Sequence, residues 1–315
     1  MSAVSPFRPN VLAKQSTDTL IAARDLVSTI IDERARQTSL FEAPVKLTTT
    51  ALQLVPRPSP IAYADTVPDV LSPSTASKFM DCSARWFYSK MLQLPDPRTA
   101  ALALGSAVHE VVAVNMQDKI ETRRDLDAAA ISSLFRDALP RQLEGVVFAE
   151  GESADELAGC GEALLSVYMD QAAPSIRPQA VELAVEGDIG GVRVHGFVDV
   201  LDVEGTVIDL KTAGKKPSGV SSAHRLQVAT YAMITPGASG RARIDTITKT
   251  KTVAHHSTSF DVTAADRKLT ERLYSITLDQ MRSGLVVPNR SSFLCSRKNC
   301  AFWETCEQDY GGAVA

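Results

Sequence analysis

Asp199, Asp209 and Lys211 fall within the run HGFVDVLDVEGTVIDLKT, which can bring two carboxylates and an ammonium together. Two strand-like stretches flank Val203, Glu204 and Gly205, a three-residue hairpin loop with glycine at the position that needs a left-handed backbone. Such a loop sets Asp199 opposite Asp209. Period-two alternation then puts Lys211 on the face of Asp209 and Leu210 on the other. Val198, Val200, Ile208 and Leu210 on one face, with Phe197, Leu201 and Val207 on the other, predict burial on both sides. Opposed carboxylates repel there unless a positive charge offsets them. A divalent cation meets that need, because oxygen donors on adjacent strands suit magnesium or manganese, and Lys211 could touch the water that the metal activates. Taken alone, the D-x-K tripeptide also fits a solvated pair on an edge strand.

A second concentration of reactive groups lies near the end of the chain. FLCSRKNCAFWETCEQ carries Cys295, Cys300 and Cys306 in a chain that has five cysteines. The start, MSAVSPFRPN, has neither the basic residues nor the apolar stretch of a secretory signal, so the expected compartment is the cytoplasm. A reducing cytosol disfavours disulfides and leaves metal binding, catalysis or burial as explanations. Three thiolates also call for a fourth partner. The net charge of -4 and a pI near 5.8 argue against a surface that grips nucleic acid everywhere, so any such site must be a local patch.

The elements that would position these residues can be read in order. Residues 1–68 read as an amphipathic helix, with Leu20, Ala23, Val27, Ile30 and Ile31 at helical spacing, followed by a Pro-containing linker. Residues 69–315 read as one domain. A Ser-Pro start opens a helix with Phe79, Cys82 and Trp86 on one face, and a second helix begins near Gly105. A helical insertion covers about 112–176. Strands follow in QAVELAVEG, GVRVHGFVDVL and GTVIDLKT, then the helix SSAHRLQVATYAMI, a strand pair to about residue 263, a last helix, and the cysteine segment 293–308. This order predicts an α/β domain with a mixed central sheet flanked by helices.

The ordered set of motifs resembles the PD-(D/E)XK nuclease superfamily, in its RecB-type exonuclease branch. GFVDVLDVEGTVIDLKT resembles the catalytic core, and ALALGSAVHEVV the G-x-x-x-H helix that points to His109. AVELAVEG resembles the strand that supplies an acid, here Glu182. RLQVATYAMI resembles the Q-x-x-x-Y helix that points to Gln227 and Tyr231, which share one helical face. The resemblance covers roughly residues 71 to 306. It departs at Ser83, where many relatives carry proline, and in the wide spacing between Cys295 and Cys300.

The resemblance implies a restriction-endonuclease-like fold and a metal-dependent DNA exonuclease. His109, Asp199, Asp209 and the main-chain carbonyl of Leu210 would hold Mg2+ or Mn2+. Glu182 would bind through water or assist a second ion, Lys211 would orient the attacking water, and Gln227 and Tyr231 would position the phosphate or the base beside it. Relatives that include CRISPR-associated adaptation exonucleases and AddB-type helicase-nuclease subunits carry one early and three late cysteines that bind a [4Fe-4S] cluster. Cys82 with Cys295, Cys300 and Cys306 repeats that layout, and the absence of tight C-x2-C pairs favours iron-sulfur over zinc. Such a staple would pack the C-terminal segment beside the active site. Cys160 reads as a buried helix residue.

Lys215, Lys216, Arg225, Lys249 and Lys251 are candidate phosphate contacts, with TKTKT on a strand. Gln37, Leu40 and Phe41 resemble the peptide by which replication and repair enzymes dock on the bacterial sliding clamp. DNA is the implied substrate, in recombination, repair or phage DNA processing, with a helicase or recombination partner. The alternative is a non-catalytic DNA-binding or scaffold subunit on the same fold, with zinc in place of iron-sulfur.

Overall fold

The computed structural model describes residues 25–29 and 67–311. The candidate clamp peptide and most of the N-terminal amphipathic helix lie outside them. Residues 25–29 are helical, with Val27 buried. No described helix is long and apolar enough to cross a membrane.

The chain enters through β1 (Val70–Leu71) and α1 (Pro73–Asp81), whose N-cap Ser72 accepts a hydrogen bond from the Thr75 N–H, with proline in the first turn. The single helix expected here is broken. Cys82 is extended (φ -154°, ψ 101°), and α2 (Ser83–Trp86) restarts beyond it and runs into a π-helical turn, Phe87–Met91. A helical layer follows: α3 (Ala100–Thr122), α4 (Ala128–Gln142) and α5 (Ala154–Gln171). α3 runs unbroken through residue 112, near which the helical insertion is expected to begin.

The strands β2 (Pro178–Ile189), β3 (Val192–Asp202) and β4 (Val207–Ala213) precede α6 (Ser222–Ile234). Then come β5 (Arg241–Thr248), β6 (Ala254–Asp261), α7 (Ala264–Arg282) and the short α8 (Trp303–Tyr310). Lys249 and Lys251 lie in the β5–β6 connection, not on a strand as expected.

The six strands form one mixed sheet. β2 pairs antiparallel along β3, whose other edge is shared by β1 near Arg193–Val194 and β4 near Val200–Leu201. β4 and β5 run parallel, and β6 closes the sheet antiparallel to β5. On one face α3, α4 and α5 cover Val181, Val200, Ile208, Leu210 and Ile247. On the other, α6 covers Val185, Val198, Leu201, Val207 and Ile244. A third core joins α1, the π-helical turn, α7 and α8 to Leu71, Ile189, Val192 and Val194.

Candidate active site

The turn after β3 has the expected geometry. Gly205 takes φ +74°, its N–H donates to the Asp202 carbonyl, and the Asp202 N–H donates to the Thr206 carbonyl. Val200 pairs with Ile208 and Leu201 with Val207, the register expected if Asp199 faces Asp209, but the paired residues end at Val200 and Ile208. The ladder stops there. In its place the Leu210 main-chain N–H donates to Asp199 Oδ2 at 3.0 Å, so the aspartate takes the bond that a paired carbonyl would have taken.

Glu182 stands opposite Asp199 across β2 and β3 and is missing from a series of partners whose other irregularity is a register shift between Pro178 and Ala180. Its φ is +46°, a left-handed conformation that is costly for a residue with a side chain. Alternation breaks at this step in both strands. Val181 and Val200 pack under the helical layer, whereas Leu183 and Val198 pack under α6. Val198 thus lies on the face opposite the one expected, because the twist at the acids reverses which side chains point where.

The consequence is a compact group of potential donor atoms. His109, Glu182 and Asp199 each bring one donor atom within 4.8 Å of the others, and His109 Nδ1 lies 3.5 Å from Asp199 Oδ2. Glu182 is 3% exposed and Asp199 7%, so both carboxylates sit largely out of water. A nitrogen and two buried carboxylates of this kind fit a hard divalent cation, whose charge would offset them. His109 is delivered by α3, and Gly105, one turn earlier, lets that helix approach β4. A Cβ on Gly105 would lie 3.1 Å from Thr212 Oγ1.

Asp209 is not in this group. It is 1% exposed, and Lys211 Nζ contacts its two carboxylate oxygens at 2.8 and 2.7 Å, on the shared face that alternation requires. Leu210 lines the pocket with His109, Glu182 and Asp199. His224, at the start of α6, is pushed down to about 4 by burial and then by the Lys211 charge, which keeps the imidazole neutral beside the ammonium. Gln227 is half-buried on the same helix. Tyr231 is buried against β3 at Gly196, where a Cβ would lie 2.5 Å from the ring.

The basic residues divide. Lys215 and Lys216 are exposed just after β4, and Lys249 and Lys251 follow β5. Because β4 and β5 are parallel, all four leave the sheet at one end. Arg225 is directed elsewhere. Its guanidinium makes two bonds to Asp266, at 2.6 and 2.8 Å, and stacks 4.5 Å from the Phe260 ring. This pairing holds the Asp266 carboxyl well below the usual range and makes Arg225 a tie between α6 and α7.

The four cysteines singled out from the sequence line one cavity, with Arg85, Arg290 and Trp303 among its walls. The break at Cys82 is stitched to the C-terminal segment. Ser83 Oγ donates to the Val287 carbonyl and accepts from the Val287 N–H, and Asn289 donates from its main chain to Cys82 Sγ (3.5 Å) and from its side chain to the Asp81 carbonyl. Serine at position 83 therefore has a structural use that proline could not supply. Burial pushes the Cys300 and Cys306 thiols up, and the other cysteines add to the shift. This segment shares its core with β1 and the β2–β3 turn, while Val200, Ile208 and Leu210 beside the acids pack with the helical layer. The segment thus packs at the β1 end of the sheet, in a core distinct from the one beneath the acids.

Sequence reasoning did not single out Tyr168, Arg290 or Trp303. Tyr168 lines the pocket of His109, Glu182 and Asp199, and burial followed by the Asp245 charge pushes its hydroxyl well above the ordinary range. It shares the helix of Cys160, and only its depth in the fold marks it.

No curated protein matches this chain. A crystal structure of a candidate exonuclease from Eubacterium rectale is similar at a TM-score of 0.50 and 15% identity, covering 84% of this chain and 100% of that one. The crystal structure of SSO0001 aligns at a TM-score of 0.38 and 14% identity, over 91% of this chain and 97% of that one. At such identities the first similarity speaks for the fold, a mixed sheet flanked by helices. The sequence profile of the PD-(D/E)XK nuclease superfamily matches residues 70–307, from β1 through the last of the cavity-lining cysteines, and the chain belongs to that superfamily.

Proposed function

We propose that the protein is a divalent-cation-dependent deoxyribonuclease that degrades DNA from its ends and carries a structural [4Fe-4S] cluster. The observation that carries the nuclease reading is the convergence of His109, Glu182 and Asp199 where β3 and β4 part, beside the Asp209–Lys211 pair. His109, Glu182 and Asp199 would hold Mg2+ or Mn2+, which when bound lowers the pKa of a water and offsets charge on the phosphate. Asp209 keeps the Lys211 ammonium in place, and Lys211 orients the attacking water. Asp199 is itself fixed by the Leu210 N–H, so the ligand needs no reorganisation. The four lysines at one end of the sheet offer a track for the DNA backbone.

Two buried donors favour iron-sulfur over zinc at the cysteines. Arg290 Nη1 and Trp303 Nε1, on residues that line the cavity, have no acceptor among the described residues. The inorganic sulfides of a cluster would accept from them, whereas one zinc offers no such atoms. A zinc about 2.3 Å from each sulfur would also hold the sulfurs about 3.8 Å apart. Among the described residues no three of these sulfurs lie within 4.8 Å of one another.

The test uses anaerobically purified full-length protein with end-labelled linear DNA and covalently closed circles. Linear DNA should be degraded with Mg2+ or Mn2+ and circles spared, and Lys211→Ala should lower the rate at least about a hundredfold with DNA binding retained. Undiminished cleavage by the variant would sink the assigned site, and cleavage of circles would make the enzyme an endonuclease. A role in recombination, repair or phage DNA processing would bring helicase or clamp partners, the latter through Gln37, Leu40 and Phe41. A chain lacking residues 1–66 should lose affinity for the bacterial sliding clamp, and unchanged affinity removes that partner.

A further inference from the structure

Tyr168 stands out among the buried polar groups outside the ligand set. It is 1% exposed, projects from α5 and lines the pocket formed by His109, Glu182 and Asp199. Its hydroxyl makes no hydrogen bond with any described residue. The charges around it already have partners. Arg243 and His255 hold Asp245, and Leu210 and His109 approach Asp199. A hydroxyl beside a cluster of acidic residues has a ready use in holding what they bind. Phenylalanine would fill the same volume, so packing alone does not account for the oxygen.

We infer that Tyr168 is a further functional residue of this site, whose hydroxyl donates a hydrogen bond to an oxygen held in the pocket. The inference rests on the nuclease reading. That oxygen belongs either to a water bound with the cation or to a non-bridging position of the phosphate. In both cases tyrosine, a donor that stays protonated at neutral pH, supplies a fixed dipole where negative charge collects. It transfers no proton and adds no charge to the ligands.

The experiment compares full-length wild type with Tyr168→Phe in three measurements: Mn2+ binding by calorimetry without DNA, single-turnover cleavage of linear DNA at saturating Mn2+, and the urea midpoint. Removal of an oxygen that makes no bond within the fold should leave the midpoint unchanged, so that lost function cannot be ascribed to misfolding. Single-turnover cleavage should fall between about tenfold and about a hundredfold. Weaker Mn2+ binding alongside that loss identifies a cation-bound water as the acceptor, whereas unchanged binding identifies the phosphate. Cleavage and Mn2+ binding both within about twofold of wild type would overturn the assignment while leaving the nuclease reading intact. A wild type that neither binds Mn2+ nor cleaves DNA would overturn both, and a lowered midpoint would assign the hydroxyl to the fold instead.

Discussion

At Glu182 three properties coincide: near-complete burial, a left-handed backbone and membership of the ligand group. A left-handed non-glycine residue inside a strand costs on the order of 1–3 kcal/mol and persists only where its surroundings enforce it. Glu182→Gly should therefore raise stability by about 1 kcal/mol in urea denaturation while abolishing Mn2+ binding. Glu182→Gln, which keeps the side chain at that backbone, should lose binding without the gain. Equal midpoints for wild type and the glycine variant would show that the backbone carries no strain. The sequence presents Glu182 as an acid in a strand. It carries no sign of the inverted backbone, because β-propensity and alternation are blind to a single residue turned against its strand.

At the scale of elements, close approach decides where the site residues stand. Gly105 brings α3 and His109 onto β4 at Thr212, and Gly196 admits the Tyr231 ring against β3, three residues before Asp199. Gly196→Ala places a Cβ 2.5 Å from that ring, so either the ring or the strand must move. Overpacking of this kind costs about 1–3 kcal/mol. The urea midpoint should fall accordingly, and cleavage should slow through displacement of Asp199. A midpoint equal to wild type would mean that α6 yields without strain. The pairing of glycine with histidine and of glutamine with tyrosine is legible as spacing along a helix. The partners those glycines meet belong to other elements and are not.

Across the whole molecule, the cysteine cavity joins positions more than 200 residues apart, as the bond between Asn289 and Cys82 illustrates with a separation of 207. Tyr88 reinforces the junction by donating to Asp309 at 2.7 Å, and Phe302 packs against the Tyr88 ring. A cluster bound there closes almost the entire nuclease domain into a loop, which restricts the unfolded chain. Cys82→Ser should yield protein depleted of iron and sulfide and less stable by roughly 2–4 kcal/mol. Cys160→Ser should keep its iron, because Cys160 packs within the helical layer. One equivalent of zinc in colourless wild-type protein would overturn the iron-sulfur reading.

The sequence by itself determined what is local: the hairpin at Gly205, the register that pairs Val200 with Ile208, the common face of Asp209 and Lys211, and the alternation of strands with capped helices. These follow from backbone geometry over a few residues, where a period of two and a three-residue loop admit one arrangement. Tertiary structure alone decided that Glu182 rather than Asp209 joins His109 and Asp199, that Arg225 serves Asp266, that Tyr168 enters the pocket, and that α1 ends at Cys82. Each of those depends on where two strands part or on which distant segment supplies a partner, and such choices are settled by packing between elements rather than by spacing within one.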